Sequence, residues 1–433
     1  MQKATQCEGV WVIQSKEPDK WLFLRPDEPD WLVTNDTGAA ILSRCAGCDS
    51  LQNIAADVGL HDTDVINFVE RVRLTSRLFH DQQTPRNPIH EQSAYQVPTG
   101  SAQLRSVHLN LTQDCNLDCA YCYATDRLRT QTTLTLEQWK CILRQIREIS
   151  KAVTVSFTGG EPLLSACCLG LASYSQSLGN RNHLLTNGTA ITSNNAARVS
   201  RIFDLIRISI DGSNRAIHEA HRGRHSFEKA MRAVDLLIQQ RANIVVAMTV
   251  TRKNANDVAT MCKRFGTRLS FQPLFKAGSA ASADDLSITG EQYYEALSKS
   301  QETKPLGALE TILAGAKRSR NRKCAIGDIE ISIAPNGDVF PCHMLHQTAF
   351  CAGNAISDGL ATIYNDSPTL KQCRNLTVEN IEGCKDCPIR YICGGSCRAR
   401  SYFETGSLLK AGEFCAYEKL AFIDGIFASS RFD

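Results

Sequence analysis

The chain carries 19 cysteines in 433 residues, and they are unevenly spread. Cys115, Cys119 and Cys122 form CxxxCxxC, which places three thiolates on one short loop where they can face a single metal centre. Three ligands are one too few for an ordinary 4Fe-4S cluster. An open position is what a catalytic metal needs, because substrate or cofactor can bind there. Zinc is the rival, although a structural zinc site takes four ligands and no fourth lies near in sequence. Nine more cysteines crowd between Cys324 and Cys415, among them Cys384, Cys387, Cys393 and Cys397. Two four-ligand clusters use about eight thiols.

The elements around these loops alternate. Val107–Leu111, Val153–Phe157, His183–Leu185, Leu205–Ile210, Ile244–Val250 and Arg268–Phe271 read as strands. Leu136–Ile149, Leu163–Leu178, Asn194–Phe203, Phe227–Gln240 and Ala255–Phe265 read as helices between them. This predicts a parallel α/β sheet, curled into a full or partial barrel, with chemistry at the C-terminal ends of its strands. Residues 81–103 hold three prolines and many polar residues and read as a linker. The basic run from Lys317 to Lys323 reads as a solvated face or helix end. The net charge is +3, which gives no case for nucleic acid or an anionic membrane as partner. Apolar runs such as Ile244–Met248 are too short to span a bilayer, and no secretory pattern follows Met1. The thiols are therefore expected reduced, in the cytoplasm.

On CxxxCxxC after the first strand, the chain resembles the radical S-adenosylmethionine (SAM) superfamily. Gly159, Gly160, Glu161 and Pro162 follow the second strand and are similar to its GGEP segment, which receives the SAM amino group. Thr186, Asn187 and Gly188 match TNG after the third strand, and Ser209 and Asp211 end the fourth. Taken singly these residues read as turns, strand ends and a surface charge. Together the resemblance implies that Cys115, Cys119 and Cys122 hold a 4Fe-4S cluster. It further implies that Ser209 and Arg222 contact the SAM carboxylate, Tyr121 the adenine, and Asp211 the ribose or the substrate. The implied fold is a partial (β/α)6 TIM-like barrel. The implied chemistry is one-electron cleavage of SAM to a 5′-deoxyadenosyl radical that abstracts a substrate hydrogen, fed by an external donor such as flavodoxin or ferredoxin.

The C-terminal block reads CxxC, five residues, C, three residues, C, preceded by GDVFPC. It resembles the SPASM extension of radical SAM enzymes that modify peptides or proteins. By that resemblance Cys384, Cys387, Cys393 and Cys415 hold one auxiliary 4Fe-4S cluster, and Cys324, Cys342 and Cys397 the other. For its fourth ligand Cys351, Cys373 and an open iron stand as alternatives. A zinc ribbon is the plainer reading of CxxC alone. Cys141, Cys167, Cys168 and Cys262 read as core residues.

Ahead of the linker, Val10–Ile13, Trp21–Leu24 and Trp31–Val33 read as strands. Asn35, Asp36 and Thr37 offer a helix cap, and helices follow at Ala39–Leu42, Leu51–Val58 and Asp64–Leu74. With NDTGAAILSRCAGC, this unit resembles the winged-helix-like RiPP recognition element (RRE), which captures the leader of a ribosomally made precursor peptide. A DNA-binding winged helix is the alternative, without a basic stripe to support it. Cys45 and Cys48 read as a helix end, with a metal pair as the alternative. The expected organisation is a leader-binding domain at 1–82, a linker at 83–103, the barrel at 104–305 and the SPASM domain at 306–433. The expected activity is oxidative crosslinking of a precursor peptide, through a C-C (cyclophane) or thioether bond. Formylglycine formation, epimerisation and a non-catalytic iron-sulfur peptide-binding protein are the rivals.

Overall fold

The computed structural model describes residues 4–7, 9–27, 29–45, 49–76, 78, 104–124, 133–298 and 320–429. The expected linker and Cys48 lie outside them.

Near the N-terminus, β1 (Ala4–Cys7), β2 (Val10–Gln14), β3 (Trp21–Arg25) and β4 (Asp30–Thr34) form an antiparallel sheet in that order. β1 is one strand more than the alternation predicts. Helices follow at Asp36–Cys45, Leu51–Val58 and Asp62–Thr75. The Asn35 side chain accepts the Gly38 N–H at 2.8 Å and caps the first. Gly38 is required because a Cβ there would lie 2.0 Å from Thr34 Oγ1. The strand period of two divides this sheet between two cores. Val10, Val12 and Phe23 pack on the helices with Ala39, Leu42 and Val72. Ile13, Leu22, Leu24, Trp31 and Val33 pack on the C-terminal region, against Ile389, Ile392, Ile423, Ile426 and Phe427.

The six predicted barrel strands are present: β5 (Ser106–Asn110), β6 (Thr154–Thr158), β7 (Arg181–Thr186), β8 (Leu205–Ser209), β9 (Ile244–Val250) and β10 (Leu269–Pro273). They pair in parallel in chain order. Helices cover the outside, as Leu136–Ile149 shows. Thr135 and Gln138 close a capping box at its start, and Trp139, Ile142, Leu143 and Ile146 form its buried stripe. Two details depart from expectation. The predicted helix from Leu163 splits into a short 3-10 turn, Pro162–Leu164, and a helix at Cys168–Ser177, because the Glu161 side chain caps the turn. A helix at Arg215–Arg222 was not anticipated. It has only eight residues, shorter than the window over which a helical period is read, and Asn214 caps it.

Beyond the barrel, β11 (Glu330–Ile333) pairs in parallel with β5, and β12 (Asp338–Phe340) and β13 (Gly353–Asn354) continue the sheet to nine strands. The C-terminal region thus supplies the strand beside β5. The GDVFPC glycine turns the chain between β11 and β12: Gly337 has φ +92°, and its N–H donates to Ala334 O at 2.9 Å. No described helix is long and apolar enough to cross a membrane.

Candidate active site

The CxxxCxxC loop leaves the C-terminal end of β5 and is held by its neighbours on both sides. Gly160 N–H donates to Thr112 O and Glu161 N–H to Asp114 O, both at 2.8 Å. Gly159 has φ +133°, and a Cβ on it would lie 2.3 Å from Thr112 O. A Cβ on Gly160 would meet Asp114 O at 2.2 Å. The two glycines therefore let the GGEP backbone lie directly on the cysteine loop. From the other side, Asn187 donates to Asn116 Oδ1 at 3.0 Å and to Cys115 Sγ at 3.8 Å. Ala120 N–H donates to His221 O at 2.9 Å, which ties the loop to the unexpected helix.

Glu161 is fully buried. It accepts from Thr186 Oγ1 and Asn187 N–H at 2.8 Å each and from Leu163 N–H at 3.1 Å. Burial outweighs these donors and raises its carboxyl. Its oxygens brace the loops after β6 and β7, while Gly159, Gly160 and Asn187 face the cavity. Pro162 is buried at the start of the 3-10 turn.

Asp211, expected at the ribose or the substrate, has protein partners. It is fully buried behind the cavity wall, bonded to the Tyr121 hydroxyl and the Arg222 guanidinium, and it accepts the Thr249 N–H at 2.8 Å. Burial would raise its carboxyl, but Arg222 and the Tyr121 hydroxyl outweigh that and hold it below the usual range. Arg222 sits 5.7 Å from the Tyr121 ring centroid. Tyr121, Ser209 and Arg222 line the cavity, Tyr121 with its hydroxyl already committed. His218 accepts the Asp211 N–H at 3.2 Å, and burial pushes it down to about 4.

The cavity is about 1380 Å³ and runs from the three cysteines through the barrel lumen to His343, Met344, Cys397 and Arg400. Its inner wall explains a signal that the strand prediction passed over. A parallel strand buried on both faces reads as a continuous apolar run, yet β5, β6, β7 and β8 alternate polar residues inward. This brings together a group not anticipated from sequence. Glu330 lies 3.5 Å from His108 Nε2 and 3.3 Å from His343 Nδ1, and the two rings stack at 4.4 Å. Those bonds hold Glu330 well below the usual range despite its burial.

The thiols fall into sets. Burial raises Cys115 and pushes Cys119 up to about 11, with Cys122 adding to both and Cys115 to Cys119. Cys342 is raised by burial, then by Glu330, Cys397 and Cys324. Cys384 is pushed up to about 11 by burial, with Cys415 and Cys387 adding to it, and Cys393 is raised with a contribution from Cys387. These are the neighbours that the SPASM resemblance implies. Of the fourth-ligand candidates, Cys373 is raised by burial and then by Cys324, whereas Cys351 donates toward Gly353 O at 3.8 Å and feels Asp338 and Asp358.

These surroundings fit iron-sulfur clusters. Zinc at about 2.3 Å from each sulfur needs thiols about 3.8 Å apart, and no three described cysteines converge within 4.8 Å. Arg398 Nε and Arg400 Nε are buried without a hydrogen-bond partner. Arg398 acts on Cys384 and Cys415, and Arg400 on Cys397. Orphaned N–H groups beside thiol sets suit the sulfur atoms of bound clusters. Cys168 and Cys262 are buried in the barrel core, and Cys167 packs against it.

Comparison with known proteins agrees with this geometry. Residues 109–265 match the Radical SAM superfamily, and residues 324–388 match SPASM, an iron-sulfur cluster-binding domain. The chain is a radical SAM enzyme with a SPASM domain. It binds 4Fe-4S clusters and SAM, and the non-catalytic alternative falls away. The radical SAM/SPASM chain is 28% identical over 351 residues to the AdoMet-dependent heme synthase of Oleidesulfovibrio alaskensis, covering 74% of this chain and 89% of that protein. It is 28% identical over 307 residues to the mycofactocin maturase MftC of Mycolicibacterium smegmatis, covering 68% and 78%. Among solved structures, anSMEcpe with bound AdoMet and Kp18Cys peptide aligns with a TM-score of 0.63 and 22% identity, covering 75% of this chain and 97% of that one. Streptococcus suis SuiB bound to precursor peptide SuiA aligns with a TM-score of 0.58 and 13% identity, covering 96% and 100%. Both structures share the fold.

Proposed function

We propose that this radical SAM/SPASM enzyme modifies a leader-bearing, ribosomally made precursor peptide in the reducing cytoplasm, by an oxidative C-C or thioether crosslink. The observation that carries the reading is the N-terminal sheet-and-helix unit, which shares a core with the SPASM region. β1 and β4 each pair on one side only among the described strands, which leaves an edge to which a leader strand can add.

Cys115, Cys119 and Cys122 would hold the SAM-binding cluster. Cys384, Cys387, Cys393 and Cys415 would hold one auxiliary cluster, and Cys324, Cys342 and Cys397 the other. When bound, the SAM-loaded cluster supplies a 5′-deoxyadenosyl radical from one electron of a flavodoxin- or ferredoxin-type donor. The chain's own residues orient and enclose. Gly159 and Gly160 bring bare backbone to the cysteine loop, Ser209 and Arg222 present a hydroxyl and a cation at the cavity mouth, and Tyr121 closes one wall. The auxiliary clusters would accept the second electron of the oxidised peptide.

The test is mass spectrometry of short peptides encoded beside the gene, incubated anaerobically with reconstituted enzyme, SAM and reductant. Loss of two hydrogens per modification on a leader-bearing peptide, and slower turnover without the leader, is expected. A gain of solvent deuterium at an α-carbon with two hydrogens retained would mean epimerisation instead, and oxidation of a Cys or Ser to an aldehyde would mean formylglycine formation. Replacing Cys115, Cys119 and Cys122 together by Ala should abolish SAM cleavage while keeping the auxiliary iron, about two thirds of the total. Cleavage that persists would refute the assignment. A second reading, a heme-type substrate, follows the heme synthase relative, and the same assay with heme precursors in place of peptides decides it.

A further inference from the structure

A parallel barrel ordinarily fills its interior with branched apolar side chains. Here the lumen is a cavity, and some of its charges have a partner. His108 and His343 share Glu330, and Arg222 is paired with Asp211. Arg207 lines the same cavity from the middle of β8 and makes no hydrogen bond or ion pair with any described residue. The residues paired with it across the sheet are Leu185 on β7 and Val245 on β9, whose side chains carry no hydrogen-bond acceptor. Burial alone acts on its guanidinium, with no carboxylate to offset it. A guanidinium stays charged, and partly burying one without a counter-ion carries part of its desolvation cost. That cost is relieved when an anion arrives from outside.

The position of Arg207 says which anion. Ser209, at the cavity mouth, lies two residues further along β8, about 6.6 Å toward the C-terminal end where the cysteine loop sits. Arg207 therefore projects one layer deeper than the mouth of the site. His183, on the neighbouring strand, faces the same space and is pushed down by burial and by Arg207, so it adds a neutral hydrogen-bonding group and no negative charge.

Resting on the peptide reading above, we propose that Arg207 binds a carboxylate of the substrate peptide, from an acidic side chain or the C-terminus. The contact draws that part of the peptide into the lumen and sets which hydrogen meets the radical. Arg207 is thus a specificity-determining residue, with the guanidinium fork giving the bidentate geometry that a carboxylate fits.

The test uses reconstituted full-length enzyme, the Arg207→Gln and Arg207→Lys variants, and the peptide that the wild type modifies. That peptide is also made with each carboxylate replaced in turn by its amide, the C-terminus included. Arg207→Gln is expected to lower kcat/KM for the peptide at least tenfold, and Arg207→Lys to recover part of the loss. One amide peptide should show the same loss with the wild type and no further loss with Arg207→Gln. Losses that multiply for every amide peptide would overturn the proposal. So would a tenfold rise in KM for SAM with peptide KM unmoved, because the bound carboxylate would then be that of SAM. A wild type that modifies no peptide sinks the peptide reading and this proposal with it. A wild type that modifies the peptide, while Arg207→Gln does so at unaltered kcat/KM, sinks this proposal alone.

Discussion

At the scale of single residues, the site depends on groups that never face the cavity. Asp211 neutralises Arg222, fixes the Tyr121 hydroxyl and takes a backbone N–H from β9. Asp211→Asn would leave a nearly buried guanidinium unpaired, so it should destabilise the fold by about 3–5 kcal/mol and weaken SAM binding through a displaced Arg222. Denaturant melts and a SAM titration check this, and a variant as stable as wild type would mean that the pair is not what holds the helix. Gly160 makes a sharper case. An alanine methyl there would need the Asp114 carbonyl to move, at a cost of roughly 1–3 kcal/mol, and the movement falls on the cysteine loop. Gly160→Ala should therefore lose iron from the SAM-binding site before the auxiliary sites, as iron analysis and electron paramagnetic resonance would reveal. Cys373→Ala should alter the resonance of one auxiliary cluster while Cys351→Ala leaves it unchanged, because only Cys373 keeps company with Cys324.

Among the elements, the eight-residue Arg215–Arg222 helix does the most for its length. It carries Arg222 to the cavity, holds the cysteine loop through His221 O, and supplies His218 to the Asp211 backbone. His218 is neutral in the fold and its Nε2 has no partner, so burial depresses it from 6.5 to about 4. As pH falls below about 6.5 the unfolded chain takes up the proton first and the folded chain does not. Stability should then drop by up to about 1.4 kcal/mol per pH unit until about pH 4, and level off below. Chemical denaturation of wild type and His218→Gln at pH 7.5 and 5.5 tests the sign. A wild-type slope equal to that of the variant would show that His218 does not titrate in this way.

For the whole molecule, the three regions are less separable than their lengths suggest. β11 of the C-terminal region is a strand of the barrel sheet, and the N-terminal sheet gives one complete face to the C-terminal core. Removing residues 1–80 would uncover Ile389, Ile392, Ile423, Ile426 and Phe427 together. A patch of that kind promotes association, so the truncated chain should aggregate rather than behave as a leader-blind enzyme, which size-exclusion chromatography would show. A monodisperse, active truncation would mean that this shared core contributes little. Gly38→Ala is the gentler probe of leader binding, since it disturbs the first helix through Thr34 and leaves the face toward the C-terminal core in place.

The sequence by itself determined the thiol spacings, the six barrel strands and the capped N-terminal helices, because each follows from local rules: ligand spacing, a period of two or 3.6, and a polar cap beside an apolar run. Tertiary structure alone decided the roles of the carboxylates. Glu161 and Asp211 stand where a ligand contact was expected, yet both face inward to backbone and side-chain donors brought from other strands. The same holds for His108, Glu330 and His343, which are far apart in the chain and meet because β11 pairs with β5. The polar alternation of β5 to β8 was legible in the chain from the start. That it lines an open lumen depends on how the strands curl together, and Arg207 gains its meaning only from its neighbours across the sheet.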